Sequence, residues 1–198
     1  MTDEKRPYRK RKRAELEAET RRRITESAVE LHGTLGPSRT SMSAVAEHAG
    51  VRRSTLYRHF ADELEVFAAC SAHWNEAHPV PDLGAWAVIE DPDRRLRVAL
   101  DELYAFYRGG EGMLANLFRD EAAMPTVAHY FGAFHEYIAA AAEVLMGGRG
   151  LRGRARARVR AAVGHALDFS TWRSLARGQG LADDEAARLI YGLVEAAR

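Results

Sequence analysis

Apolar residues recur at spacings of three and four positions along almost the whole chain of 198 residues. That period is typical of amphipathic α-helices, whereas a half-buried strand alternates between apolar and polar residues. Proline is scarce, and the periodic segments are separated by joints that contain glycine or proline. The pattern therefore predicts an all-α protein.

Four helices are predicted in the N-terminal part of the chain. The first covers residues 20–35 and the third covers residues 52–59. Ser41 is expected to cap the second helix and Asp62 the fourth, because short polar side chains accept hydrogen bonds from the N–H groups of a first turn. Between the second and third helices, Gly50 can adopt the positive φ of a tight turn.

Five longer helices are predicted beyond a proline-rich break at residues 78–82. They cover residues 92–109, 111–123, 125–146, 154–178 and 183–197. The last helix has one apolar stripe, whereas the helix before it is apolar on more than one face and must be buried on more than one side. We therefore expect these last two helices to pair with their copies across the two-fold axis of a homodimer.

Charge is divided unevenly between the two ends of the chain. Residues 1–60 carry 14 Lys and Arg against 8 Asp and Glu, whereas the remainder carries 15 against 20. This asymmetry is expected when one end of a protein meets nucleic acid. The basic run at residues 5–13 has too few apolar residues to fold alone, so residues 1–19 are expected to form a disordered arm. That arm is either a solvated tail or a tether that follows DNA phosphates or enters a minor groove.

Several classes of protein are disfavoured by what the sequence contains. Cys70 is the single cysteine, so no internal disulfide can form and a cytoplasmic location is expected. No apolar run approaches the roughly 18 residues that span a bilayer, and no secretory signal is visible, so no membrane contact is expected. No catalytic motif is found, and we expect neither an enzyme nor a cofactor.

Two short patterns have the spacing of known kinds of ligand site. Gly148, Gly150 and Gly153 have the spacing of a dinucleotide-binding loop, but a helical run precedes them where that motif needs a strand, so a flexible interhelix loop is predicted. Two pairs, Cys70 with His73 and His165 with Asp168, have a spacing that two metal ligands on a helix can share. Neither pair has a third ligand nearby, so no metal site is predicted.

Residues 40–60 contain the strongest functional signal, two short helices flanking a turn at Ala49-Gly50-Val51. This spacing predicts a helix-turn-helix. The exposed face of its second helix carries guanidinium, hydroxyl and imidazole groups suited to phosphate oxygens and base edges. These groups belong to Arg52, Arg53, Thr55, Tyr57, Arg58 and His59. No acidic residue lies between Glu47 and Asp62.

The segment resembles the DNA-binding part of the TetR family of bacterial regulators over about residues 20–70. The resemblance rests on Ser41, Val45-Ala46, Ala49-Gly50-Val51, Thr55-Leu56-Tyr57 and His59-Phe60. It implies an all-α homodimer whose third helix enters the major groove and reads a pseudo-palindromic operator in double-stranded DNA. The chain departs from the family at Glu63, where the family often has lysine.

The resemblance also implies roles for individual residues and domains. Base-reading positions are Ser43, Arg53, Ser54 and Thr55, and phosphate-contacting positions are Ser41, Tyr57 and His59. The expected organisation is a helix-turn-helix DNA-binding domain at 20–62, a linking helix at 63–80, and a C-terminal effector-binding and dimerisation domain at 81–198.

A small apolar or amphipathic effector is expected to release the protein from DNA, as a repressor. The candidate contacts are Trp74, Phe106, Leu114, Phe118, Tyr130, Phe134, His135, His165, Phe169 and Trp172. Core packing explains the same apolar stripes equally well. The sequence leaves open an activator, a DNA-binding regulator without an effector, a small-molecule carrier and a helical protein-interaction module.

Overall fold

The computed structural model describes residues 5–198, apart from the side chains of residues 5–7 and 9. This range contains eleven α-helices and no β-strand, so the all-α prediction is confirmed. The helices are α1 (Lys5–Thr34), α2 (Met42–His48), α3 (Arg53–His59), α4 (Glu63–Ala77), α5 (Leu83–Ala87), α6 (Pro92–Gly109), α7 (Glu111–Asp120), α8 (Pro125–Met146), α9 (Gly153–Ala166), α10 (Phe169–Arg173) and α11 (Asp183–Ala196). A 3-10 turn at Pro37–Arg39 precedes α2, and a π-helical turn at Ser174–Gly178 follows α10.

The basic segment expected to be disordered is helical, because α1 begins at Lys5. The prediction of a disordered arm is therefore wrong for residues 5–19, and residues 1–4 lie outside the described residues. Arg11 pairs with Glu15 and Arg13 with Glu17. Such pairs one turn apart support an exposed helix. The basic run thus extends a helix whose C-terminal half is buried in a core.

The single helix predicted at residues 154–178 is interrupted after Ala166. Asp168 has an extended backbone (φ −74°, ψ 129°), and its carboxylate accepts a hydrogen bond from the Ser170 N–H at 2.6 Å. This is N-cap geometry, so Asp168 ends one helix and begins the next. The periodicity of the apolar residues continues through the break and therefore did not reveal it.

Helix α5 was not predicted. Asp82 caps it by accepting a hydrogen bond from the Gly84 N–H at 2.8 Å. Trp86 is fully buried, and its indole N–H donates to Glu102 Oε2 at 2.7 Å. A five-residue helix is too short to show a period, so only the capping aspartate could have indicated it.

The chain forms two compact units. The first contains the residues up to Ala77 together with Gly112–Tyr130, and the second contains His78–Glu111 and Phe131–Arg198. Residues 112–130, which the sequence analysis placed with the C-terminal domain, thus pack within the first unit. The assignment of functions to the domains stays a prediction.

In the first unit, α1 to α4 enclose one core to which α8 adds Val127. The buried residues of this core include Ile24, Ala28, Val45, Leu56, Phe60, Phe67 and Val127. Helix α3 contributes only Leu56 from its own span and is closed by Phe60. Helix α3 is therefore held to α1 by a few large apolar side chains, and most of the surface of α3 is exposed.

A polar network ties α7 to the end of α1 inside the first unit. The Asn116 amide donates to the carbonyls of His32 and Gly33, both at 2.9 Å. Asp120 accepts from Arg119 at 2.8 Å and from the Ser38 N–H at 2.9 Å. Burial raises the pKa of Asp120, but these two donors outweigh burial and hold the pKa below its usual value. The loop that leads into α2 is thereby fixed by a charged anchor.

Candidate nucleic-acid interface

The turn between α2 and α3 is built by three local features. Ser41 Oγ accepts a hydrogen bond from the Ala44 N–H at 3.1 Å, as the predicted N-cap of α2. Gly50 has φ +63°, a conformation in which a side chain is strained. The Val51 N–H donates to the Ala46 carbonyl at 2.9 Å and closes the turn. With α1 behind them, α2 and α3 form a helix-turn-helix.

The outer face of α3 presents a cluster of cationic and hydroxyl groups. Arg52, Arg53, Ser54, Tyr57 and Arg58 are exposed. No carboxylate among the described residues forms an ion pair with any of the three arginines. Unpaired guanidiniums on one helix face are suited to bidentate contacts with phosphate oxygens or guanine edges.

Arg53 and Tyr57 lie one helical turn apart and contact each other. Arg53 Nη2 donates to Tyr57 Oη at 3.3 Å, and the guanidinium carbon lies 5.4 Å from the centre of the ring. Each side chain limits the rotamers of the other. The pair is therefore partly ordered before any partner arrives, which lowers the entropy cost of binding.

The other predicted contact residues lie around the same face. Ser43 on α2 is exposed, as is Ser41, whereas Thr55 and His59 are half-buried. His59 Nε2 is buried and has no hydrogen-bond partner. Glu63, the departure from the family pattern, is exposed at the start of α4.

Arg21 on α1 is a residue that the sequence analysis missed. Its guanidinium donates to the main-chain carbonyl of His59, near the end of α3, and lies 3.9 Å from the centre of the Phe60 ring. Arg21 therefore helps to hold α3 against α1. The hydrogen bond joins residues 38 positions apart, and no local pattern indicates it.

The ten candidate effector contacts are distributed over the two units. Trp74, Leu114, Phe118 and Tyr130 belong to the first unit. The others, Phe106, Phe134, His135, His165, Phe169 and Trp172, belong to the second. Their assignment to effector binding stays a prediction.

The polar groups of the second unit's aromatic cluster have partners within that unit. The Trp172 indole N–H donates to Asp183 Oδ1 at 2.9 Å, and Tyr104 Oη donates to the Ala166 carbonyl at 3.1 Å. Thr171 Oγ1 lies 3.1 Å from His165 Nδ1. Burial, with the nearby Asp168 charge, raises the pKa of Tyr107 above its usual value. This cluster has the properties of a packed core.

Two kinds of feature are absent from the described residues. No described helix is long and apolar enough to cross a bilayer. No three His, Cys, Asp or Glu side chains within the described part are grouped as ligands for a metal ion.

Comparison with known proteins agrees with this geometry. The family model described as "Bacterial regulatory proteins, tetR family" matches residues 24–70, which span the C-terminal third of α1, both helix-turn-helix helices and the first half of α4. Residues 24–70 of this chain are therefore similar to the TetR family. The predicted family resemblance is thereby confirmed.

Two curated regulators from Pseudomonas putida resemble this chain over 79 residues. The HTH-type transcriptional regulator SrpR is 39% identical over a segment that is 37% of this chain and 36% of SrpR. The HTH-type transcriptional regulator TtgW is 38% identical over 37% of this chain and 58% of TtgW. The matched segment therefore covers less than two thirds of either relative.

Solved structures share the fold over most of this chain. A TetR-like regulator from Rhodococcus sp. RHA1 superposes with a TM-score of 0.66 at 22% identity, covering 89% of this chain and 93% of that one. A protein assigned to the TetR family from Mesorhizobium loti MAFF303099 gives 0.60 at 20% identity, covering 91% and 96%. The likeness therefore concerns the fold of both units.

Proposed function

We propose that this TetR-family regulator binds a pseudo-palindromic operator as a homodimer, represses transcription there and is released by a small-molecule effector. The observation that carries the proposal is the exposed face of α3, where Arg52, Arg53 and Arg58 have no acidic partner among the described residues. A solvated helix normally mixes charges of both signs, whereas a helix that enters a major groove does not.

The positions on α3 support base contacts by the first turn of the helix and phosphate contacts by the second turn. Arg53, with Ser54 and Thr55 in the first turn of the helix, is placed to meet base edges, because the N-terminal residues of a recognition helix lie deepest in the groove. Tyr57 and Arg58 in the second turn are placed for phosphates. His59, half-buried at the end of the helix, is proposed for a further contact with the DNA backbone.

The faces of α9 and α11 support the homodimer. On α9, Ala157, Ala161 and Gly164 are exposed at helical spacing, and on α11 Leu189 and Leu193 are 48% and 52% exposed. Small residues let two helices approach closely, while exposed leucines one turn apart bury apolar area against a copy. A two-fold dimer places two recognition helices about 34 Å apart, one turn of DNA.

The proposed release by an effector rests on the family resemblance and on the aromatic content of the second unit. A ligand shifts the protein only through different affinities for the DNA-competent and DNA-incompetent arrangements. The ligand would therefore have to weaken operator binding when it is added. A regulator that binds DNA but responds to no ligand remains the alternative.

The decisive experiment measures fluorescence anisotropy of labelled duplexes with the purified protein. The gene's own upstream intergenic DNA is compared with a random duplex at about physiological salt, where non-specific binding is weak. We expect a preference of about a thousandfold or more for the operator-containing DNA. Arg53→Ala is expected to weaken specific binding by about 5- to 150-fold, the range for removal of one bidentate base contact.

Arg94→Ala is the matched control, since Arg94 is also exposed but belongs to the second unit. It should leave the preference unchanged. Equal affinity of the unaltered protein for operator fragments and random duplex, across a library of genomic fragments, would contradict the proposal. That result would favour the protein-interaction alternative.

A further inference from the structure

The glycine-rich loop between α8 and α9 forms one side of a surface cavity of about 370 Å³. The cavity is lined by the end of α8, by the loop residues Gly147 to Arg152, and by Arg156 on α9. All of these residues belong to the second unit. The volume is in the range of small-molecule sites.

Positive charge dominates this cavity. Arg149, Arg152 and Arg156 all line it, and Glu143 is the one carboxylate in its lining. Glu143 is paired with Arg160, and the Arg160 hydrogen bond holds the pKa of Glu143 below its usual value against the opposing effect of burial. Arg160, which lies outside the lining, therefore offsets most of the Glu143 charge, an effect to which Arg156 also contributes, and a net positive charge is left facing the cavity.

The three arginines differ in whether their guanidiniums are already bound within the protein. Arg149 has a structural role, since it donates to the Leu145 carbonyl at 2.8 Å, to the Pro92 carbonyl at 3.0 Å and to Asp93 at 3.1 Å. Those bonds fix the loop against the start of α6. Arg152 and Arg156 are exposed, and neither forms an ion pair or a side-chain hydrogen bond with the described residues.

Arg152 and Arg156 are one helical turn apart, so their guanidiniums project over the same side of α9. Two free guanidiniums beside a cavity recognise tetrahedral oxyanions through paired, charge-assisted hydrogen bonds. The first N–H groups of α9 have no side-chain cap and add to the positive potential of the cavity. A carboxylate offers fewer acceptor oxygens to this arrangement than a phosphate does.

We propose that this cavity binds the phosphate group of a small phosphorylated molecule through Arg152 and Arg156. The proposal is independent of the aromatic cluster of the second unit and of DNA binding by α3. It also gives a role to Gly148, Gly150 and Gly153. These glycines have the spacing of a dinucleotide-binding loop, but they follow a helix where that motif needs a strand. The phosphate is held here by arginine side chains at the edge of a helical bundle.

The test is isothermal titration of the full-length protein with inorganic phosphate and with pyrophosphate, at constant ionic strength and with chloride as the competing anion. We expect saturable binding at millimolar concentrations. Removal of both guanidiniums in Arg152→Gln/Arg156→Gln should weaken binding by about tenfold or more, since a hydrogen bond to a charged group is among the stronger polar contacts.

Two controls separate this cavity from general attraction to a basic protein. Arg154→Gln removes an exposed arginine from the opposite side of α9, and Arg23→Gln removes an exposed arginine from α1; both should bind phosphate as the unaltered protein does. Absence of saturable binding by the unaltered protein would overturn the proposal. An equal loss in Arg154→Gln, or a loss in Arg23→Gln alone, would overturn it as well.

Discussion

His32 shows how one buried side chain makes stability depend on pH. It is 7% exposed, packs against the Phe67 ring at a centroid distance of 5.4 Å, and has Cys70 Sγ 3.3 Å from its Nδ1. Burial lowers the pKa of His32 to about 4, although the charge of Asp120 opposes that change. Burial also raises the pKa of the Cys70 thiol to about 12. Both groups are therefore neutral in the folded protein at neutral pH.

We predict that the protein loses stability as pH falls from 6.5 towards 4. In that window an unfolded chain protonates His32 while the folded protein does not, so protons favour unfolding. The loss is at most about 1.4 kcal/mol per pH unit and about 3 kcal/mol in total. Urea unfolding at about pH 7, 6 and 5 measures it.

His32→Gln supplies the control for this pH effect because glutamine does not titrate. Its free energy of unfolding should be lower at neutral pH but should change less on acidification. Carboxylates such as Asp120, whose pKa is below its usual value, contribute equally to both proteins. Identical pH slopes for the two proteins would show that His32 is not the group responsible.

At the scale of elements, α3 is a seven-residue helix that cannot be stable alone. It exists because Leu56 and Phe60 anchor it, Gly50 turns the chain into it, and Arg21 holds its last carbonyl. The Gly50 turn is local and was predicted from the sequence. The Arg21 hydrogen bond depends on how α1 packs, which one sequence does not reveal.

The difference between local sequence signals and packing also explains where the helix predictions succeeded. Helices α6 and α8 were predicted with the bounds that the structure has, because strong periodicity, Pro92 and Pro125 mark their starts. The break at Asp168 was missed because the apolar period runs across it. The site residues on α3 were located on an exposed face, but which of them contact a ligand is a property of a complex.

The Gly50 turn gives a prediction at this scale. A Cβ at Gly50 would meet no atom within 4 Å, so Gly50→Ala has no steric clash and tests the φ of +63° alone. We expect it to lower the free energy of unfolding by about 1 kcal/mol, the cost of a left-handed backbone for alanine. Urea unfolding measures the change.

Gly132→Ala is the matched control for that turn. Gly132 lies inside α8, its φ is negative, and a Cβ there also meets no atom within 4 Å. Alanine should stabilise this position by up to about 1 kcal/mol, since it is the better helix former. A stabilising Gly50→Ala would contradict the role given to the turn.

At the scale of the whole molecule, the uneven charge gives a prediction for DNA binding. Residues 5–13 carry seven of the basic residues, and they form an N-terminal extension of α1 beyond its buried part. If this extension follows phosphates, deletion of residues 1–13 should reduce the slope of log affinity against log salt by about 0.9 for each phosphate that is no longer neutralised. Anisotropy titrations at several salt concentrations give the slope for the full-length protein and for the deletion variant. An unchanged slope would show that the extension does not contact DNA phosphates.

The dimer proposal makes the last prediction. Leu189→Glu/Leu193→Glu places two charges on the exposed stripe of α11, where dimer formation would bury them without partners. Unpaired charges cost several kcal/mol to bury, so the variant should sediment as a monomer. Analytical ultracentrifugation measures this, and Val88→Glu is the control because Val88 is 79% exposed outside α9 and α11.

The monomeric variant should bind a single half-site about as well as the unaltered protein does but lose most of its preference for the full operator, since each half-site is then occupied independently. A variant that stays dimeric would show that the two-fold interface lies elsewhere on the chain.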